Sequence, residues 1–135
     1  MFTIPLLLKF PKCYWIWNHR LWTLQQAILR QDASVARAVW EEELGLVGKM
    51  LTKDRRNFHA WGYRRKVVAQ LEDVALNGKS MVEPEFQYTG NMIKMDLSNF
   101  SAWHSRSQLI PRLLREREAD EVARKSFLND GEFDS

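Results

Sequence analysis

Few side chains in this chain of 135 residues are equipped for chemistry: one cysteine, Cys13, three histidines, His19, His59 and His104, and a run of cations in mid-chain. Cys13 and the histidines lack the spacing of zinc ligands, and there is no second cysteine, so no metal site is expected on the chain. No glycine-rich phosphate loop occurs, and no Ser-His-Asp set has supporting context. What remains is a basic patch, which suggests an anionic ligand or an acidic partner. Between Lys53 and Lys66 six cations (Lys53, Arg55, Arg56, Arg64, Arg65 and Lys66) meet a single anion, Asp54. His59 follows Phe58 near the start of a helix, where an imidazole beside free backbone N–H groups can donate to an anion. The plain alternatives are a solvated helix flank for the cations and a packed histidine for His59, and the residues alone leave both open.

The elements that must position these groups are helices. Apolar residues make up 45% and charged residues 27% of the chain, with six Gly, four Pro and a net charge of +3. Such a composition excludes a disordered tail, a low-complexity linker and a disulfide scaffold. The charge is mild for a nucleic-acid binder, and no apolar run approaches the roughly 20 residues of a membrane span. The apolar N-terminal stretch has no basic segment before it and no small-residue cleavage site after it, so no secretory signal is expected. The C-terminus carries no cysteine for lipid attachment. The expectation is a soluble, cytoplasmic protein.

Six tryptophans organise the chain. Tyr14, Trp17 and Arg20, then Phe58, Trp61 and Arg64, then Phe100, Trp103 and Arg106 share the pattern aromatic-x-x-Trp-x-x-Arg, at spacings of 44 and 42 residues. The i, i+3 spacing puts each aromatic and Trp about 60° apart on one helix face. The Arg lies at the edge of that stripe, where its stem packs and its guanidinium reaches a neighbouring helix or a loop carbonyl. The stripe continues through Leu21, Leu24 and Ile28 in the first repeat, Val68 and Leu71 in the second, and Ile110 in the third. Because one site cannot use three equivalent sets, Trp17, Arg20, Trp61, Arg64, Trp103 and Arg106 are expected to be structural.

Between the motifs the pattern predicts a helix from Val35 to Leu51, with Glu41, Glu42 and Glu43 on exposed turns. A shorter one runs from about Pro84 to Met95, with Pro in the first turn where its missing N–H costs little. Asn77-Gly78-Lys79-Ser80 signals a turn, and nothing shows sustained alternation. The fold is therefore expected to be all-α, two helices per repeat of about 43 residues, each pair stacking on its neighbours. Residues 1–135 form one helical-repeat domain in this reading, with cores at about 12–22, 56–66 and 98–108. Met1 to Phe10 reads as the last turns of a helix, and Ala119 to Ser135 as the opening helix of another pair. The expectation is a chain truncated at both ends.

These motifs resemble the repeats of protein prenyltransferase α subunits. The likeness rests on Pro11-Lys12-Cys13-Tyr14-x-x-Trp17-Asn18-His19-Arg20-x-Trp22, on Asp54-x-Arg56-Asn57-Phe58-His59-x-Trp61-x-Tyr63-Arg64-Arg65, and on Ser98-Asn99-Phe100-Ser101-x-Trp103-His104-x-Arg106-Ser107-x-Leu109-x-Pro111. The last of these, with its Ser-x-Leu-x-Pro continuation, resembles the Rab geranylgeranyltransferase (type II) branch more than the α subunit shared by farnesyltransferase and the type I enzyme. The resemblance implies a right-handed α-α superhelix of hairpins wrapped around a β subunit that holds the catalytic zinc and the lipid tunnel. It further implies transfer of geranylgeranyl from its diphosphate to C-terminal cysteines of Rab GTPases presented by an escort protein. No cofactor is implied on this chain itself. The alternatives are the farnesyltransferase/type I α subunit and a non-catalytic helical-repeat scaffold.

The same resemblance singles out residues for the subunit seam. Lys12 matches the lysine that reaches the isoprenoid diphosphate, and His59 a histidine beside it, which makes these two the candidate catalytic residues. Tyr14 and Phe58 match site-lining tyrosines, and Phe58 lacks the hydroxyl. Cys13 is expected to be packed rather than reactive.

Overall fold

Each Trp-bearing motif opens a helix in the computed structural model, which describes Lys9 and residues 13–133. The motif helices are α1 (Tyr14–Arg30), α3 (Phe58–Leu71) and α5 (Phe100–Phe133). Between them lie α2 (Ala33–Lys53), α4 (Val82–Met95) and a single 3-10 turn at Val74–Leu76. The described residues contain no strand, as the absence of alternation implies.

Two of the motif helices, α3 and α5, start where they do because an asparagine caps them. The Asn57 side chain accepts from the backbone N–H groups of His59 and Ala60 at 3.1 and 3.2 Å. Asn99 accepts from the N–H of Ala102 at 3.1 Å. Both are buried, and each satisfies donors that the first helical turn leaves unpaired. The indole then locks the approach to the helix: Trp61 Nε1 donates to the Arg55 carbonyl at 2.7 Å, and Trp103 Nε1 to the Leu97 carbonyl at 2.9 Å. Asn99 Nδ2 also donates to the Arg55 carbonyl, at 2.7 Å, tying the loop of one repeat to the loop of the next.

Connections at residues 54–57 and 96–99 are too short for anything but hairpins, so α2 packs against α3 and α4 against α5. The motif helices stack in turn, α1 on α3 and α3 on α5. Trp17 meets the Tyr63 ring at 4.8 Å, and Trp61 meets the Tyr88 ring at 5.8 Å. Fully buried Trp40, Leu51 and Leu71 fill the space between the layers. After α3 the chain turns through Asn77, which takes a left-handed φ of 53°. At Gly78 a Cβ would collide with the Leu71 carbonyl and the Glu72 backbone, so only glycine follows.

Several expectations change. Glu43 is buried, because its position continues the inward face of α2 through Ala36, Trp40, Val47 and Met50. There it accepts from Nε and Nη2 of Arg20 and from the Tyr63 hydroxyl. Arg64 repeats this with Glu85 of α4, at 3.0 and 2.7 Å, under the Tyr88 ring at 3.6 Å. Two of the three motif arginines thus reach carboxylates on a neighbouring helix. Arg106 instead donates to the Phe86 carbonyl and, at 3.4 Å, to the Thr89 hydroxyl, and stacks on the Phe86 ring.

The leading aromatic of each motif also lies outside the packed stripe: Tyr14, Phe58 and Phe100 are exposed. So are Trp103 and Ile110, since no further helix among the described residues covers that face of α5. Residues 119–133 continue α5 without a break, and no separate helix opens there. Cys13 is half-buried against the core, as expected of a packed thiol. Trp15 and Trp22 flank His19 on the exposed side of α1, each ring 6.3 Å from the imidazole. The reading of Met1 to Phe10 as the end of a helix lies outside the described residues, Lys9 apart.

Candidate functional site

Where α1 and α3 lie side by side they leave a cleft of about 160 Å³, lined by Tyr14, Trp17 and Asn18 from one helix and by Phe58, His59, Gly62, Tyr63 and Lys66 from the other. Helical spacing accounts for both walls. Tyr14 and Asn18 are four residues apart, and His59, Gly62 and Lys66 recur at i, i+3 and i+7, so each set shares a face. Buried Trp17 and Tyr63 form the floor. The Tyr63 hydroxyl is committed to Glu43 at 3.0 Å. Burial first, and then the Glu43 charge, push the phenol well above its ordinary range, so it stays protonated and takes no part in acid–base chemistry.

The rim differs from the floor. The His59 ring stands between two aromatics, 5.9 Å from Tyr14 and 5.4 Å edge-on to Phe58. Its backbone N–H is already taken by the Asn57 cap, which leaves the imidazole as its available donor. Among the described residues the side chains of Tyr14, Asn18, His59 and Lys66 have no hydrogen-bond or ion-pair partner. No carboxylate lines the cleft among them either. Four polar groups able to donate, facing one space without an acceptor, form an arrangement suited to an anion.

Three of the four site residues expected from the sequence, Tyr14, Phe58 and His59, therefore meet in one place. Lys12, the fourth, lies outside the described residues. Phe58 offers an apolar wall and is 71% exposed. Asn18, Gly62 and Lys66 were not anticipated as lining residues, although their spacing from Tyr14 and His59 carried the signal. The mid-chain cations separate as well: Arg56 makes a bidentate pair with Asp96 at 2.7 and 2.9 Å, and Arg65 donates to Ser105 at 2.9 Å. The Arg56 hydrogen bonds hold the Asp96 carboxyl below its ordinary value. Lys66 is the member of the run that faces the cleft.

A second cavity, of about 200 Å³ between α3, α4 and α5, makes a useful contrast. Its charges are largely satisfied from within, Arg64 by Glu85 and Arg112 by Glu72. Among the described residues no three His, Cys, Asp or Glu side chains are grouped to hold a metal ion. No helix among them is long and apolar enough to cross a membrane.

Comparison with known proteins bears on what the cleft serves. The family model "Protein prenyltransferase alpha subunit repeat" matches residues 1–27, 40–71 and 82–113. A protein of Candida albicans named geranylgeranyl transferase type-2 subunit alpha is 45% identical over 81 residues, covering 60% of this chain and 20% of the relative. The Saccharomyces cerevisiae protein of that name is 45% identical over 74 residues, 55% of this chain and 21% of its own. The one from Dictyostelium discoideum is 45% identical over 60 residues, 44% of this chain and 17% of its own. The chain thus spans about a fifth of the length of these relatives.

Proposed function

The chain belongs to the family of protein prenyltransferase α-subunit repeats, and from that premise we propose that it forms part of the α subunit of a type II, Rab-directed geranylgeranyltransferase. The reading is carried by the convergence of Tyr14, Phe58 and His59 on one cleft that no carboxylate lines among the described residues, supported by the names of the relatives. In such a reaction the thiolate sulfur of a Rab C-terminal cysteine bonds to C1 of the geranylgeranyl group. The C1–oxygen bond breaks, and the leaving diphosphate gains negative charge. Donors already aimed at the place where that charge develops stabilise the transition state more than the ground state. Tyr14 and His59 act as those donors, with Lys12 adding an ammonium from just before α1.

Phe58 supplies an apolar wall beside the imidazole and no hydrogen bond. The cleft is a groove between two helices with one side open, so a β subunit closes it and brings the lipid tunnel. The zinc that would activate the thiol is assigned to that partner by the family resemblance alone. A Rab escort protein presents the substrate, and the compartment is the cytoplasm. Activity accordingly belongs to the heterodimer.

The test is steady-state geranylgeranyl transfer by a full-length α subunit carrying residues 1–135 in place of its own segment, assembled with the β subunit. His59→Ala is expected to lower turnover at saturating lipid by about 10²-fold, the usual cost of losing one positioned donor. Lys12→Ala is expected to behave alike, and unchanged turnover would remove Lys12 from the mechanism. Full activity in both variants would leave a helical scaffold as the better reading.

A further inference from the structure

The second cavity, of about 200 Å³, lies where a tyrosine of the preceding repeat junction has become a serine. Between the first two repeats, Tyr63 packs on Trp17 at 4.8 Å and donates to Glu43, the carboxylate that holds Arg20. A step of 44 residues carries Trp17 and Arg20 to Trp61 and Arg64, and a step of 42 carries Glu43 and Tyr63 to Glu85 and Ser105. Trp61, Arg64 and Glu85, the equivalents of the groups gathered around Tyr63, all line the cavity, and Ser105 lines it with them. Tyr88 meets the Trp61 ring at 5.8 Å and the Arg64 guanidinium at 3.6 Å but does not line the cavity, so it does not replace the missing ring.

A second exchange accompanies the first. Leu21 of the first repeat becomes Arg65 in the second, and Arg65 Nη1 donates to the Ser105 hydroxyl at 2.9 Å. The other cations of the lining, Arg64 and Arg112, are neutralised by Glu85 and Glu72 at 2.7 Å each. Arg65 has no carboxylate partner among the described residues, which leaves the lining with one net positive charge. Burial lowers the Arg65 pKa from its ordinary value and no carboxylate raises it, as expected of a guanidinium short of a counter-ion.

We propose that this cavity binds a small aromatic monocarboxylate, its ring in the space vacated at position 105 and its carboxylate on Arg65. The size allows it, since a cavity of about 150 Å³ is enough for benzene. A guanidinium with one N–H spent on a hydroxyl has others with which to grip a carboxylate at two points. An inorganic anion would answer the charge but leave the apolar surfaces of Trp61, Val68 and Leu109 without contact. A neutral ring would cover those surfaces and leave Arg65 unpaired. Bound there, the ligand joins α3 to α5 as Tyr63 joins α1 to α3. The cavity is walled by α3, α4 and α5 rather than by α1 and α3, so the inference stands independently of the reading of the first cleft.

The experiment titrates the full chain by calorimetry with phenylacetate and, separately, with acetate and with phenylacetamide, at fixed pH and ionic strength. Phenylacetate is expected to bind at least about tenfold more tightly than either control, because acetate lacks the ring and phenylacetamide the charge. Arg65→Gln should weaken phenylacetate about tenfold, the value of one charge-assisted hydrogen bond, and change phenylacetamide little. Ser105→Tyr returns the ring to the chain, with a hydroxyl for Glu85 as Tyr63 has for Glu43, and should abolish phenylacetate binding. Circular dichroism checks that each variant is folded, and Arg65→Gln decides alone should Ser105→Tyr fail that check. Phenylacetate bound equally by the parent and Arg65→Gln overturns the inference, and so does its undiminished binding to folded Ser105→Tyr. Acetate or phenylacetamide bound as tightly as phenylacetate overturns it too, by removing the need for the ring or for the charge. A parent chain that does not bind phenylacetate at millimolar concentration leaves the cavity to water and ends the proposal.

Discussion

The first two repeats and the third carry one motif and put it to different ends. Trp61 is 1% exposed and Trp103 is 47% exposed, although both indoles donate to the carbonyl six residues upstream. Arg20 and Arg64 are buried and each is held by a carboxylate two helix elements away or fewer, Glu43 on α2 and Glu85 on α4. Arg106 is only half-buried and settles for the ring and carbonyl of Phe86. The local part of the motif, cap and indole lock, is complete without a neighbour. The core part is not: a guanidinium goes fully inside only where a neighbouring helix supplies a carboxylate, because an unpaired buried charge is too costly.

The largest way to break this contrast is to remove the carboxylate. Glu43→Ala takes the carboxylate away from buried Arg20 and the Tyr63 hydroxyl and should cost about 3–5 kcal/mol in urea unfolding. Arg106→Ala should cost only about 1 kcal/mol, since it loses one ring contact and two neutral acceptors, the Phe86 carbonyl and the more distant Thr89 hydroxyl. If the two losses came out equal, burial of the pair would not be what separates the repeats. Next in size, Trp61→Ala should cost about 3–4 kcal/mol and Trp103→Ala less than about half of that. The same unfolding midpoints measure both.

Smaller effects sharpen the comparison. Asn99→Ala removes a helix cap and the bond to the Arg55 carbonyl that joins successive loops, for about 1–2 kcal/mol. Amide exchange should quicken first around Ala102. The smallest effect concerns the pair that ties α5 back to the segment after α3, Arg112 with Glu72 at 3.0 and 2.7 Å. Burial pushes the Glu72 carboxyl up, but the Arg112 hydrogen bonds, the Met81 N–H and the Arg112 charge together take it below its ordinary 4.5. A carboxyl depressed in the folded state adds stability that is complete above that ordinary value and is lost as pH falls through the folded one. Glu72→Gln should therefore destabilise by less than about 1 kcal/mol at neutral pH. That gap should close in acid, and a gap that persisted there would show that charge is not its source.

Much of this was legible in the residues. Helix positions followed from the motif spacing, and the turn at Asn77-Gly78 from its composition. Tyr14, Phe58 and His59, singled out by the family resemblance, line one cleft. Glu43 was misread because three consecutive glutamates look solvated, although its spacing from Trp40 and Val47 placed it on the inward face. The exposure of Tyr14, Phe58 and Phe100 was not legible, because a stripe shows which residues share a face and not where the neighbour's edge falls. Lys66 looked like any member of a basic run until Arg56 and Arg64 were seen to be paired elsewhere.

By itself the sequence determined the local structure of the second and third repeats: the asparagine cap, the indole-to-carbonyl lock and the helix that follows depend on residues within a few positions of one another. It also determined that the repeats must stack, since no single hairpin buries its own apolar face. Only the tertiary structure decided which arginine lies inside, which tryptophan stays in water, and which donors are left over to face the cleft. Those outcomes turn on how far one helix is rotated against the next. A carboxylate some twenty residues away either meets a guanidinium or does not, and local spacing carries no record of that angle.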